Sequence, residues 1–143
     1  ITYRSLNDFN DRFEDDPAQV ESYLRYKGAA FAKEYHPDSY RLLSEAADAH
    51  DVGRGHSRLA DALDPVAANM ETLIVGTRED VIIPYAEQVS LHGMLTALGG
   101  TSHLATHSSS AGHDAFFTDD GYFGPLLRKF LTNSGLSYDC AKK

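Results

Sequence analysis

Two short runs set the tightest limit on what this chain can fold into. Thr72 to Gly76 (Thr-Leu-Ile-Val-Gly) is too short and too apolar for a surface strand and suits the interior of a parallel sheet. Ser102 to His107 reads as the next strand. Between them, Pro84 to Leu98 has the pattern of a helix, with Ala86, Val89, Leu91 and Leu95 available for packing and Gly99-Gly100 as its stop. Strand, helix, strand in that order is a parallel crossover, so this part of the chain is α/β. Two parallel strands cannot bury both faces of a sheet by themselves, so these require neighbours from another polypeptide.

The first 68 residues carry no strand pattern. Ile1-Thr2-Tyr3-Arg4-Ser5 reads as the end of an element that begins upstream, and Asn7 to Glu14 as a polar connection. Asp15-Asp16-Pro17 is a helix start, with an acidic cap and proline where its missing N–H is not needed. That helix is expected to reach Tyr35, with Val20, Tyr23, Leu24, Ala30 and Phe31 forming its apolar stripe. Pro37-Asp38 opens a second helix, in which Tyr40, Leu43, Ala46 and Ala47 recur as far as Ala49. Asp51-Val52-Gly53-Arg54-Gly55 breaks the pattern, and a third, short helix fits within Ser57 to Leu63. Asp119-Asp120 starts a last helix, covered on one side by Phe123, Leu126, Leu127, Phe130 and Leu131, and the tail from Asn133 is expected to be loosely held. The chain thus divides into a helical part, 1–68, and an α/β part, 69–143.

Charge narrows the possible partners. With 21 acidic against 13 basic side chains, the net charge of -8 argues against nucleic acid, whose phosphates select a basic face. Small-molecule substrates fit better. No apolar run approaches the ~20 residues that span a bilayer, so no membrane partner is expected. Ile1 is no natural initiator, which points to a removed leader or to a piece of a longer polypeptide. A single cysteine, Cys140, can form no internal disulfide, and a reducing, cytoplasmic setting is expected.

The chemistry-bearing residues gather after the two strands. Thr77-Arg78-Glu79-Asp80 follows the first, and Ser110-Ala111-Gly112-His113-Asp114 follows the second. A carboxylate and an imidazole at two such strand ends are two members of a Ser-His-Asp relay. No Gly-x-Ser-x-Gly occurs: Ser57 follows Gly55 but precedes Arg58 and Leu59, and Ser102 precedes His103 and Leu104. His103, His107 and His113 invite comparison with a zinc site, but no acid or cysteine completes the set, so no metal is expected. Arg54, between two glycines, could meet a phosphate, a substrate carboxylate or a neighbouring acid.

Four motifs, in order and spacing, resemble the C-terminal part of homoserine O-acetyltransferases. They are Ser22-Tyr23-Leu24-Arg25-Tyr26, Asp51-Val52-Gly53-Arg54-Gly55, the Glu79-Asp80 loop ending in Pro84, and Gly112-His113-Asp114-Ala115-Phe116. The family comprises α/β-hydrolase-fold acyltransferases, including fungal serine O-acetyltransferase and deacetylcephalosporin C acetyltransferase. The resemblance extends over all but the end of the chain. It implies the last strands and helices of an α/β-hydrolase fold, preceded by part of a helical lid. In that family an acetyl group passes from acetyl-CoA, a co-substrate with no further cofactor, through a serine to an amino-acid hydroxyl, a step of methionine biosynthesis when the acceptor is homoserine.

Carried over by motif, Asp80 would be the acid of the relay, His113 its base, and Asp114 the group that holds the acceptor's ammonium. The family's acid is commonly preceded by serine and followed by Leu-Phe-Pro, whereas Glu79 precedes Asp80 here and Ile82-Ile83-Pro84 follows. Glu79 and Asp80 are both candidates for the acid, and alignment to the proline selects Asp80. The resemblance places the nucleophile, the oxyanion donors and an acceptor-binding arginine before Ile1. An N-terminal fragment of the same enzyme is therefore the expected partner, with a homodimer of the assembled enzyme also open. Serine or deacetylcephalosporin C as acceptor, an esterase using water, and a noncatalytic remnant remain alternatives.

Overall fold

In the computed structural model, described over residues 3–14 and 16–133, the elements run α1 (Leu6–Phe13), α2 (Pro17–Glu34), α3 (Pro37–Asp48), α4 (Leu59–Asn69), β1 (Thr72–Thr77), α5 (Tyr85–Ala97), β2 (Ser102–His107), a 3-10 turn (Gly112–Asp114), α6 (Ala115–Thr118) and α7 (Asp120–Asn133). Ile1, Asp15, Cys140 and the tail beyond Asn133 lie outside the described residues. Two compact units are formed, one from Ile1–Phe9 with Leu63–Lys143 and the other from Asn10–Ala62.

The first unit is built on β1 and β2, which pair in parallel from Thr72↔Ser102 to Thr77↔His107. Successive side chains point to opposite faces, and each face has its own helix. On the α5 face, Tyr85 bonds Thr106 (2.6 Å) and His92 bonds Ser102 (3.0 Å). Ala67, Ile74 and Leu95 form the core there, with Leu63, Val66, Leu91, Leu98 and Leu104 packed against it. On the other face, His103 meets Phe130 of α7, while His107 stacks on Tyr122 at 4.0 Å between centroids. Gly76 is a close-approach glycine: a Cβ there would lie 2.8 Å from the Tyr85 ring.

Two local expectations are corrected. Asn7 to Glu14 is not a connection, because α1 occupies Leu6–Phe13, capped by the Ser5 hydroxyl accepting from the Asp8 amide at 3.2 Å. The third helix does not end at Leu63 but runs on through Pro65 to Asn69. Proline inside a helix costs ~3 kcal/mol. Packing of Val66 and Ala67 beyond it against the sheet supplies the compensating burial.

In the second unit, the Asp16 carboxylate accepts from the amides of Ala18 (2.9 Å) and Gln19 (3.4 Å), and Pro17 takes the first position of α2. His36 Nδ1 accepts from the Asp38 amide to start α3. Phe31 stacks on Tyr35 and meets Tyr40 edge-on. Neither α2 nor α3 has a buried residue, and Phe31 and Leu43 are 49% and 57% exposed. Among the described residues no helix is long and apolar enough to cross a membrane.

Candidate active site

Asp80 and His113 each follow the carboxyl end of a strand, β1 and β2 respectively, and the parallel pairing brings those ends side by side. The Asp80 amide bonds back to the Thr77 carbonyl at 3.3 Å, turning the chain so that the side chain faces the loop after β2. Asp80 Oδ1 accepts from the amides of Ile82 and Ile83, both at 2.9 Å. Its Oδ2 accepts from His113 Nδ1 at 2.8 Å. A carboxylate only accepts, so the proton between them is on Nδ1 and the lone pair of neutral His113 is on Nε2. Among the described residues Nε2 has no hydrogen-bond partner.

Both side chains are largely sheltered, with Asp80 11% and His113 19% exposed. Burial pushes the Asp80 carboxyl up, but the Ile83 amide, His113 and the Ile82 amide together outweigh it and hold the group below its ordinary value. Asp80 therefore stays ionised beside the imidazole. The His113 ring is held edge-on between Tyr3 (5.4 Å) and Phe116 (5.7 Å).

The loop that carries His113 turns at Gly112, with φ +61°, where a Cβ would sit 2.9 Å from the Ser5 amide nitrogen. Tyr3 to Ser5 lie against this turn: the Ser5 amide donates to the Ser110 carbonyl (3.2 Å) and the Asp114 amide to the Tyr3 carbonyl (3.3 Å). Asp114 is half-buried, and among the described residues its carboxylate makes no hydrogen bond.

The chain is 39% identical over 144 residues to a homoserine O-acetyltransferase of Leifsonia xyli, covering 92% of this chain and 35% of the relative. It is 32% identical to the homoserine O-acetyltransferase of Thermobifida fusca, covering 92% of this chain and 36% of the relative. The chain is homologous to homoserine O-acetyltransferases. An L-serine/homoserine O-acetyltransferase of Streptomyces lavendulae is 35% identical, with 92% of this chain and 40% of that protein covered. No family model matches the chain. The crystal structure of homoserine O-acetyltransferase from Bacillus anthracis superposes with a TM-score of 0.75 at 19% identity, over 91% of this chain and 38% of that one. The fold is accordingly part of an α/β-hydrolase fold. The chain spans little more than a third of the length of these homoserine O-acetyltransferase relatives.

Within the region shared with the homoserine O-acetyltransferases, three histidines find three different carboxylates. His103 pairs with Glu71 (2.9 Å), His107 with Asp119 (2.6 Å) and His113 with Asp80. Among the described residues no group of three His, Cys, Asp or Glu could hold a metal ion. Glu79 has other partners than His113: it accepts from the Ser108 hydroxyl and from the Ser109 amide, the latter at 2.8 Å. Asp119 accepts from His107, Ser109 and Thr118, in that order of effect, which lowers its carboxyl from 3.8 to about 2. In the other unit, the Arg54 guanidinium donates to the Ala49 carbonyl at the end of α3 rather than to a carboxylate.

The His107–Asp119 pair escaped sequence reasoning. Its members are 12 residues apart and meet only because the intervening loop folds back. The one available signal was Asp119 at a helix start downstream of a strand-end histidine, and that pattern is common.

Proposed function

We propose that this chain supplies the acid and the base of an O-acetyltransferase whose nucleophilic serine lies on the rest of the polypeptide, in the portion of the relatives that this chain does not span. The observation that carries the reading is the bond from His113 Nδ1 to Asp80 Oδ2 with Nε2 left unengaged. In the first half-reaction His113 Nε2 takes the serine proton as the oxygen attacks the acetyl thioester of acetyl-CoA. The proton then passes from the imidazolium to the leaving thiolate. In the second, Nε2 takes the proton of the acceptor hydroxyl as it attacks the acetyl-serine, and returns it to the departing serine oxygen. Asp80 fixes the tautomer and stabilises each imidazolium.

Homoserine is the acceptor favoured by the names of the relatives. Serine is the second reading, favoured by the dual name of the Streptomyces lavendulae protein. Asp114, one residue beyond the base, would hold the ammonium group common to both. The test is His113→Ala in the complete enzyme, with CoA release and O-acetyl product both measured. Loss of both by about a thousandfold or more is expected for removal of a relay base. Retention of either half-reaction would overturn the assignment.

A further inference from the structure

The relay reading leaves one carboxylate at the site unexplained. Glu79 is adjacent to the proposed acid, half-buried, and held ionised: burial pushes its carboxyl up, but the Ser108 hydroxyl and Ser109 amide outweigh that and bring it below its ordinary value. Its two oxygens take separate donors on consecutive residues, Oε1 from Ser108 and Oε2 from the Ser109 amide. The loop after β1 is thereby tied to the loop after β2 at a point between His107 and His113.

Ser109 is gripped from elsewhere as well. Its hydroxyl oxygen accepts from the Ala111 amide (3.1 Å) and its carbonyl accepts from the Gly112 amide (3.0 Å), while its hydroxyl is among the groups that lower the Asp119 carboxyl. Asp119 is in turn fixed by His107 at 2.6 Å, and His107 by its stacking on Tyr122. Ser109 is thus the anchor of the turn that presents His113.

We infer that Glu79 is a positioning residue, which sets the distance between Asp80 and His113 by clamping Ser108 and Ser109 to the loop that carries the acid. The inference rests on the relay reading. Asp80 and Glu79 are consecutive, so any shift of the Ser108-Ser109 segment away from Glu79 also draws His113 from Asp80. A slip of ~1 Å at a proton-transfer geometry is enough to lower a rate by about a hundredfold.

The experiment separates reach from charge in the complete enzyme. Glu79→Gln keeps the length: its oxygen can accept from the Ser109 amide, and the Ser108 hydroxyl can turn to accept from its NH2. Glu79→Asp keeps the charge but is one methylene, about 1.5 Å, too short. Expected are a loss of no more than about fivefold in kcat for Glu79→Gln and about tenfold to a hundredfold for Glu79→Asp. KM for donor and acceptor should be unchanged, and both half-reactions should slow alike because one histidine serves both.

The downfield proton resonance of His113 Nδ1–H, a report on its bond to Asp80, should be kept in Glu79→Gln and be lost or moved upfield in Glu79→Asp. Glu79→Ala should behave as Glu79→Asp. The inference is overturned if Glu79→Asp keeps full kcat and the resonance, or if Glu79→Gln is the more damaging of the pair, which would make the charge of Glu79 its function. It is equally overturned if activity falls only in step with melting temperature. Failure of the relay reading itself would appear separately, as activity surviving His113→Ala.

Discussion

Replacing Asp80 by asparagine removes one charge and forces a choice that the carboxylate does not face. Asp80 satisfies the two amides of Ile82 and Ile83 with one oxygen and His113 with the other. Asparagine has a single acceptor oxygen. Leaving it on the two amides keeps two bonds of ~1 kcal/mol each, against one to a neutral imidazole, so the oxygen stays and the NH2 group turns to His113. The imidazole must then accept at Nδ1 and carry its proton on Nε2, the nitrogen that has to act as base. Protonation at the transition state now places an Nδ1–H against an NH2. The lost charge-assisted bond amounts to ~3 kcal/mol and the unmade donor to ~1 kcal/mol, about 4 kcal/mol together. That corresponds to about a thousandfold in rate.

The assay is single-turnover CoA release from the complete enzyme, with kcat/KM for the acceptor measured alongside. Both should fall by the same factor, and KM for the acceptor should not rise. A loss of less than tenfold would show that His113 is oriented by something other than Asp80. A larger loss in Glu79→Gln than in Asp80→Asn would transfer the role of acid to Glu79.

Asp114→Asn should weaken use of an amino-acid acceptor by about tenfold to a hundredfold, the worth of a charge-assisted hydrogen bond, while CoA release without acceptor stays unchanged; a parallel fall of both would assign Asp114 to holding the His113 turn. Gly112→Ala should lower the melting temperature and the activity together, since a left-handed backbone disfavours a Cβ by ~1–2 kcal/mol and this one would also meet the Ser5 backbone at 2.9 Å; an unchanged melting curve would refute the contact. Asp119 has its carboxyl lowered from 3.8 to about 2, so its contribution to stability is present above 3.8 and is lost as pH falls toward 2. Asp119→Asn should therefore flatten part of the acid-side fall in melting temperature over that window, and an unaltered pH dependence would count against the His107–Asp119 bond.

What the sequence disclosed and what it hid follow from the range of the interactions involved. β1 was legible to within one residue as an apolar run ending in glycine, and β2, with only Leu104 and Ala105 apolar, was legible to the residue from its place between the Gly99-Gly100 stop and the Ser108-Ser109-Ser110 turn. The start of α2 was legible because Asp16 and Pro17 act within one turn. α1 was missed although its signal was also local: Leu6, Phe9 and Phe13 recur at helical spacing behind Ser5, but eight residues with so many polar side chains read as a connection. The continuation of α4 past Pro65 was not legible, since it depends on Val66 and Ala67 packing on a sheet formed later in the chain. Motif resemblance pointed to Asp80 and His113, which hydrogen-bond in the fold, whereas the different partners of Asp80 and its neighbour Glu79 required knowing which way each side chain points from one short turn.

The register of β1 and β2 bears on how such a chain can change length. Thr77 and His107 share the last rung of the ladder, and Asp80 and His113 stand three and six positions beyond it. Those two short counts, with the Ile82 and Ile83 amides and the bonds from Ser108 and Ser109 to Glu79, fix the meeting of carboxylate and imidazole. Residues added or removed at the Leu98 to Thr101 turn leave both counts untouched, provided that the rung re-forms. One residue added between 78 and 80, or between 108 and 113, displaces one partner by a full residue and separates the pair. Length variation compatible with activity should therefore gather at the turn entering β2 and be absent from the two loops leaving the strands.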